Sequence, residues 1–98
     1  MKKPGSIPRE SAEILAIQAL AFIAGDTERL GRFLAITGIG PEQIRDAARE
    51  PQFLAGVLEH VMGDESLLVA FAQDADIDPA AVGRAHRDLG GQWERDVP

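Results

Sequence analysis

The sequence predicts an all-α fold: a single compact bundle of about six short helices, built as two tandem three-helix repeats. Three observations predict it. Apolar residues make up 45% of the 98-residue chain, yet aromatics are 5% and Tyr is absent, so the core must be Leu, Ile, Val and Ala with four Phe. A sheet protein would carry more β-branched and aromatic residues. Punctuation at Pro8, Gly25-Asp26, Gly38 to Pro41, Glu50-Pro51, Gly63-Asp64, Asp78-Pro79 and Gly90-Gly91 divides the chain into six segments. The segments have helical period, and no window alternates with period two beside a turn signal.

The punctuation has a physical basis. Gly takes the left-handed C′ conformation without a Cβ clash. The Asp carboxylate accepts the orphan N–H groups of a first helical turn. Pro suits the first helical position, where no N–H is missed. Between these marks, Ile14 to Ala24 is apolar except for Gln18 and reads as a buried helix. It is far shorter than the roughly 20 residues a bilayer span needs. The second segment places Leu30, Phe33, Leu34 and Thr37 on one face, with Glu28, Arg29 and Arg32 outside. The third buries Ile44, Ala47 and Ala48, and the fourth offers Phe53, Leu54, Val57, Leu58 and Val61. The fifth, Leu67 to Ala72, is apolar all round and is expected at the centre. The sixth carries Val82, Ala85 and Leu89.

Laid over itself with Leu20 on Leu58, the sequence partly matches. At that same offset Gly25-Asp26 meets Gly63-Asp64, Leu30 meets Leu68 and Phe33 meets Phe71. Ile39 meets Ile77, Pro41 meets Pro79, Ala47 meets Ala85 and Arg49 meets Arg87. All the matches fall at one offset without a gap, so residues 13–50 and 51–88 read as tandem units sharing one core. Residues 1–8 are expected to be a flexible N-terminal tail, 9–90 the domain and 91–98 a C-terminal tail. One core is feasible at this length, because such a chain buries roughly 60–68% of its unfolded surface.

Net charge is −6 and the pI about 4.7. Phosphate neutralisation needs Lys and Arg, so an acidic chain disfavours non-specific nucleic-acid and anionic-membrane binding. Cys is absent, which removes disulfides, Cys-ligated zinc and thiol catalysis. Two lysines open the chain, but Pro4, Gly5 and Pro8 stand where a signal peptide would be apolar. A cytoplasmic location is expected.

Six features bear on chemistry. In Ile36-Thr37-Gly38-Ile39-Gly40-Pro41, glycines ahead of a helix resemble a phosphate-binding hairpin. Glu42 follows, and across residues 26–50 five acids face four arginines. The equivalent turn, Asp76-Ile77-Asp78-Pro79, keeps only the aliphatic residue and the proline, which favours a structural joint plugged by Ile39 and Ile77. Asp74, Asp76 and Asp78 resemble the start of a calcium loop, but an EF-hand needs Gly and Glu where Pro79 and Ala85 stand. His60 and Asp64 lie one helical turn apart, too few ligands for zinc; a His beside a helix C-terminus is the simpler reading. His86 is expected on a solvated face beside Arg84 and Arg87. Ser66 sits in a capping neighbourhood, and no nucleophile has a base at recognisable spacing. Trp93 is expected to fold back on the core, with an exposed partner anchor as the alternative.

Together the blocks Ala19-Leu20-Ala21-Phe22-Ile23-Ala24, Arg32 to Ile39, Pro51 to Leu58 and Asp64 to Ala72 resemble domain-of-unknown-function family 3572, over residues 12 to 88. The resemblance implies a small helical protein of the bacterial cytoplasm and brings no catalytic or binding residues with it. By elimination, the expected function is a non-enzymatic protein-protein interaction module or adaptor, with no cofactor and no metal. The alternative is nucleic-acid binding through the Gly38–Arg45 turn or through Arg84, Arg87 and Arg95.

Overall fold

The computed structural model describes residues 8–95, with side chains described over residues 10–90. Six α-helices follow in order: α1 (Pro8–Ala24), α2 (Thr27–Thr37), α3 (Ile44–Ala47), α4 (Pro51–Met62), α5 (Glu65–Ala75) and α6 (Pro79–Arg95). A single 3-10 turn, Pro41–Gln43, leads into α3. The fold is all-α, with no strand among the described residues. The helix α6 runs on through Gly90 and Gly91, where the punctuation suggested a stop. The side chain of Trp93, and hence its expected fold-back, lies outside the described residues, as do residues 1–7 and 96–98.

Three helices make the centre. α1, α4 and α6 pack against one another in every pairing, α2 leans on α1, and α5 leans on α4. The core is drawn from five helices: Ala12, Ala16, Ala19, Leu20 and Ile23 of α1; Phe33 of α2; Leu54, Val57, Leu58 and Val61 of α4; Leu67 and Phe71 of α5; Val82, Ala85 and Leu89 of α6. For α4 and α6 these are the faces their periodicity predicts.

Two readings of the apolar helices are corrected. α1 is not buried all round: its inner face is the small-residue stripe Ala12, Ala16 and Ala19, continued by Leu20 and Ile23, and Ile14 and Ile17 point outward. α1 is the helix pressed by both α4 and α6, and Ala lets the backbones approach where Ile would hold them apart. α5 is peripheral rather than central, and Val69 lies on its outer side. A helix that is apolar on every side has no phase in its pattern, so the sequence does not say which side turns inward.

The caps agree with the punctuation. Asp26 Oδ1 accepts the N–H of Glu28 (2.9 Å) and of Arg29 (3.2 Å). Asp64 Oδ1 accepts the N–H of Leu67 (3.2 Å). α2 ends at Gly38 and α5 at Asp76, both left-handed, with φ 75° and 58°. α2 and α5 thus begin and end in the same register of the offset that pairs Leu20 with Leu58. Ile39 and Ile77, which follow those caps, are both half-buried and packed on the core. The third elements differ: one 3-10 turn and the four-residue α3 in the first half, the 17-residue α6 in the second.

Candidate functional site

The N–H groups of Gly38, Gly40 and Gln43 in the Gly38–Arg45 turn are already bonded. Gly38 donates to the Leu34 carbonyl (2.8 Å) and Gln43 donates to that of Gly40 (2.9 Å). Gly40 donates to Gln43 Oε1 (2.8 Å), and Ile39 makes a long contact with Thr37 Oγ1 (3.4 Å). The Glu42 carboxylate lies against Gly40. The hollow between this turn and Leu20 of α1 is lined by Glu42, Arg45 and Asp46, where acids outnumber the base. Those donors face inward, whereas a phosphate cradle needs them free.

The acidic run Asp74 to Asp78 is spread over three structural roles. Asp74 lies within α5, Asp76 is its left-handed cap, and Asp78 Oδ1 accepts the N–H of Ala80 (2.9 Å) at the start of α6. Among the described residues, no group of three His, Cys, Asp or Glu is placed to hold a metal ion. No described helix is long and apolar enough to cross a membrane.

The N-termini of α2 and α5 converge on a polar cavity of about 230 Å³, lined by Asp26, Glu28, Arg29, Arg32, His60, Asp64, Ser66 and Leu67. At the offset that pairs Leu20 with Leu58, Asp26 aligns with Asp64, Glu28 with Ser66 and Arg29 with Leu67. Three carboxylates, Asp26, Glu28 and Asp64, share the cavity with two arginines. Arg29 lies 3.8 Å from Asp26 and 4.5 Å over the Phe22 ring, and Arg32 lies 3.6 Å from Asp64. His60 forms the inner wall, its ring 5.1 Å from that of the buried Phe33 at 80°. Burial pushes the imidazole pKa down from 6.5; Asp64 opposes that shift and Arg32 adds to it. The helix C-terminus suggested a cation at this position; desolvation against Phe33 outweighs the dipole, which a half-buried ring near the corner feels only in part. Sequence reasoning named His60 and Asp64 but missed Arg32, whose partner belongs to the other half of the chain.

The other notable surface is the outside of α1. Ile14 is 55% exposed and Ile17 48%, and Ala21 continues the stripe one turn further on. Beside it an open groove runs between α1 and α5, lined by Gln18, Ala21, Phe22, Phe71, Asp74 and Ala75. Its walls are apolar and its rim carries the Asp74 carboxylate.

A small all-α domain with a self-capped turn, a charge-lined cavity and an apolar outer helix face defines a class, that of compact helical modules. Within it, the chain belongs to the family described as protein of unknown function (DUF3572), whose match covers residues 9–92. No curated protein and no solved structure matches it.

Proposed function

We propose that this protein is a non-enzymatic adaptor that binds another protein through the outer face of α1. The observation that carries the reading is the exposure of Ile14 and Ile17, one turn apart on the same side of a helix whose opposite side is core. Exposed aliphatic stripes next to an apolar groove suit the helix-in-groove mode of recognition. The chain is acidic, at −6, the groove is rimmed by the Asp74 carboxylate, and Glu10 is exposed one turn before Ile14 on α1. The occupant is therefore an amphipathic helix of a second protein, with Lys or Arg flanking its apolar stripe.

A photo-crosslinking residue at position 17 in living bacteria tests this. The expected product joins the chain to a different polypeptide, and the same probe at Glu59, exposed on α4, does not form it. With that polypeptide purified, Ile14→Glu with Ile17→Glu weakens binding at least about tenfold, the scale of one lost apolar anchor. A product of twice the chain's own mass, or unchanged binding by the double variant, rejects the reading. Arg84 and Arg87, both exposed and one turn apart on α6, support a second reading, nucleic-acid binding. A gel shift at low salt that the Arg84→Glu and Arg87→Glu changes abolish is its signature.

A further inference from the structure

Three ring contacts fasten the outer helices to the centre, and two of them are related by the offset that pairs Leu20 with Leu58. Phe71 of α5 meets Phe22 of α1 with centroids 5.7 Å apart, and Phe33 of α2 meets His60 of α4 at 5.1 Å. Phe22 and His60 are equivalent positions of the two halves, and so are Phe33 and Phe71. The two contacts are thus one joint made twice with the halves exchanged, the reciprocal pattern of a two-fold interface. They differ in one respect. The α5 joint is closed by two phenyl rings, while in the α2 joint Phe33 packs both on Phe53 and on the imidazole of His60, which also lines a polar cavity.

We infer that the α2 joint is an acid-released latch: protonation of His60 loosens α2 from α4, while α5 stays fastened to α1. The ionic surroundings give the reason. The charged groups lining the cavity with His60 are Asp64 from the α4–α5 corner, Glu28, Arg29 and Arg32 from α2, and Asp26 from the α1–α2 corner. Asp26 and Asp64 are both engaged, each capping a helix and each next to an arginine. Asp64 is the carboxylate that acts on His60, so an imidazolium either competes with Arg32 for Asp64 or stays poorly compensated against Phe33. Arg32 sits on α2, so the first choice weakens its tie to the α4–α5 corner, and the second charges the packing of Phe33 itself. Each weakens the hold on α2 and uncovers Phe33 and Phe53, whose rings meet at 6.0 Å. The sign follows from the lowered pKa. The folded joint binds fewer protons than the opened one, so its stability is complete above pH 6.5 and is lost as pH falls through that value toward the folded pKa. The latch stands independently of the adaptor reading.

Native-state hydrogen exchange on the full chain at about pH 7.5 and about pH 5.0, corrected for intrinsic exchange rates, tests it. The opening of α2 relative to α5 is expected to rise at acid pH, by about tenfold for each pH unit by which the His60 pKa is depressed. NMR titration is expected to place His60 below 6.5. His60→Phe, which copies the other joint, and His60→Gln both abolish the acid response, while His86→Gln keeps it. Equal protection of α2 at both pH values overturns the latch. So does loosening of α2 and α5 together, an acid response that survives in either His60 variant, or a His60 pKa at or above 6.5. The exchange ratio and the titration of the unmodified chain decide the matter even where a variant fails to fold.

Discussion

The two halves of the chain differ most where their sequences look most alike. After a capped helix, each half turns on a left-handed residue, inserts an isoleucine and restarts at a proline, Pro41 or Pro79. From Pro41 the chain makes one 3-10 turn and one α-turn; from Pro79 it makes 17 residues of helix. Local chemistry fixes where a helix begins, and what lies further along decides how far it runs. Past Pro79, Val82, Ala85 and Leu89 recur on one face and are buried against α1 and α4. Past Pro41, Ile44 and Ala48 are only half-buried, and Pro51 then closes the option. The residue before a proline is driven out of the helical region, and Glu50 is extended, with ψ 122°.

Removing the two offset-related phenyl rings, Phe33 and Phe71, should have the largest effect. Phe33 and Phe71 are 0% and 1% exposed. Phe33→Ala and Phe71→Ala should each cost about 3–5 kcal/mol, the usual range for emptying a buried aromatic site. Urea unfolding at neutral pH measures both. Costs that agree within about 1 kcal/mol support equivalent packing of the halves. A Phe33→Ala cost under half that of Phe71→Ala would mean that the imidazole joint contributes little, and that α2 is loosely held even at neutral pH.

Much of this architecture is legible in the residues. Asp26, Asp64, Pro51 and Pro79 mark helix starts because their chemistry acts within one turn. The inner faces of α4 and α6 are legible because polar residues interrupt them at helical spacing. The orientation of α1 is not, because Ile14, Ala16, Ile17 and Ala19 are all apolar. There the choice follows from how closely α4 and α6 approach, a property of the assembled bundle. The cavity is hidden for a similar reason. Arg32 meets Asp64, and His60 meets Phe33, across the whole of α3 and most of α4, and no periodicity in one segment reports a partner in another. The repeat offset is the one signal that pairs His60 with Phe22.

The left-handed caps give a smaller and more selective test. A Cβ at Gly38 would meet nothing within 4 Å, but φ there is 75°. Gly38→Ala should therefore cost about 1–2 kcal/mol through backbone conformation alone. Asp76 already carries a side chain at φ 58°. Asp76→Gly removes that strain and adds freedom to the unfolded chain, two opposing effects of about 0.4–1 kcal/mol or more. The net change should lie within about 0.5 kcal/mol of zero. Thermal unfolding of both variants compares them directly. Equal costs at the two sites would show that the turns are held by different contacts.

The finest distinction lies between the two capping aspartates. Asp26→Ala removes the acceptor of two N–H groups and Asp64→Ala the acceptor of one. Each should cost about 1 kcal/mol, with Asp26→Ala the larger. The Arg32–Asp64 pair adds little to this, since Arg32 is 67% exposed and exposed pairs are worth about 0–1 kcal/mol. As caps the two are near equals, but as neighbours of His60 they are not. Asp64 is the group that resists the depression of the imidazole pKa. Asp64→Ala should lower the His60 pKa further, which moves the acid loss of stability to lower pH, while Asp26→Ala should leave it in place. NMR titration of His60 in the two variants reads the difference. A raised His60 pKa in Asp64→Ala would mean that opening of the α5 N-terminus hydrates the ring, and that burial at this corner depends on the cap itself.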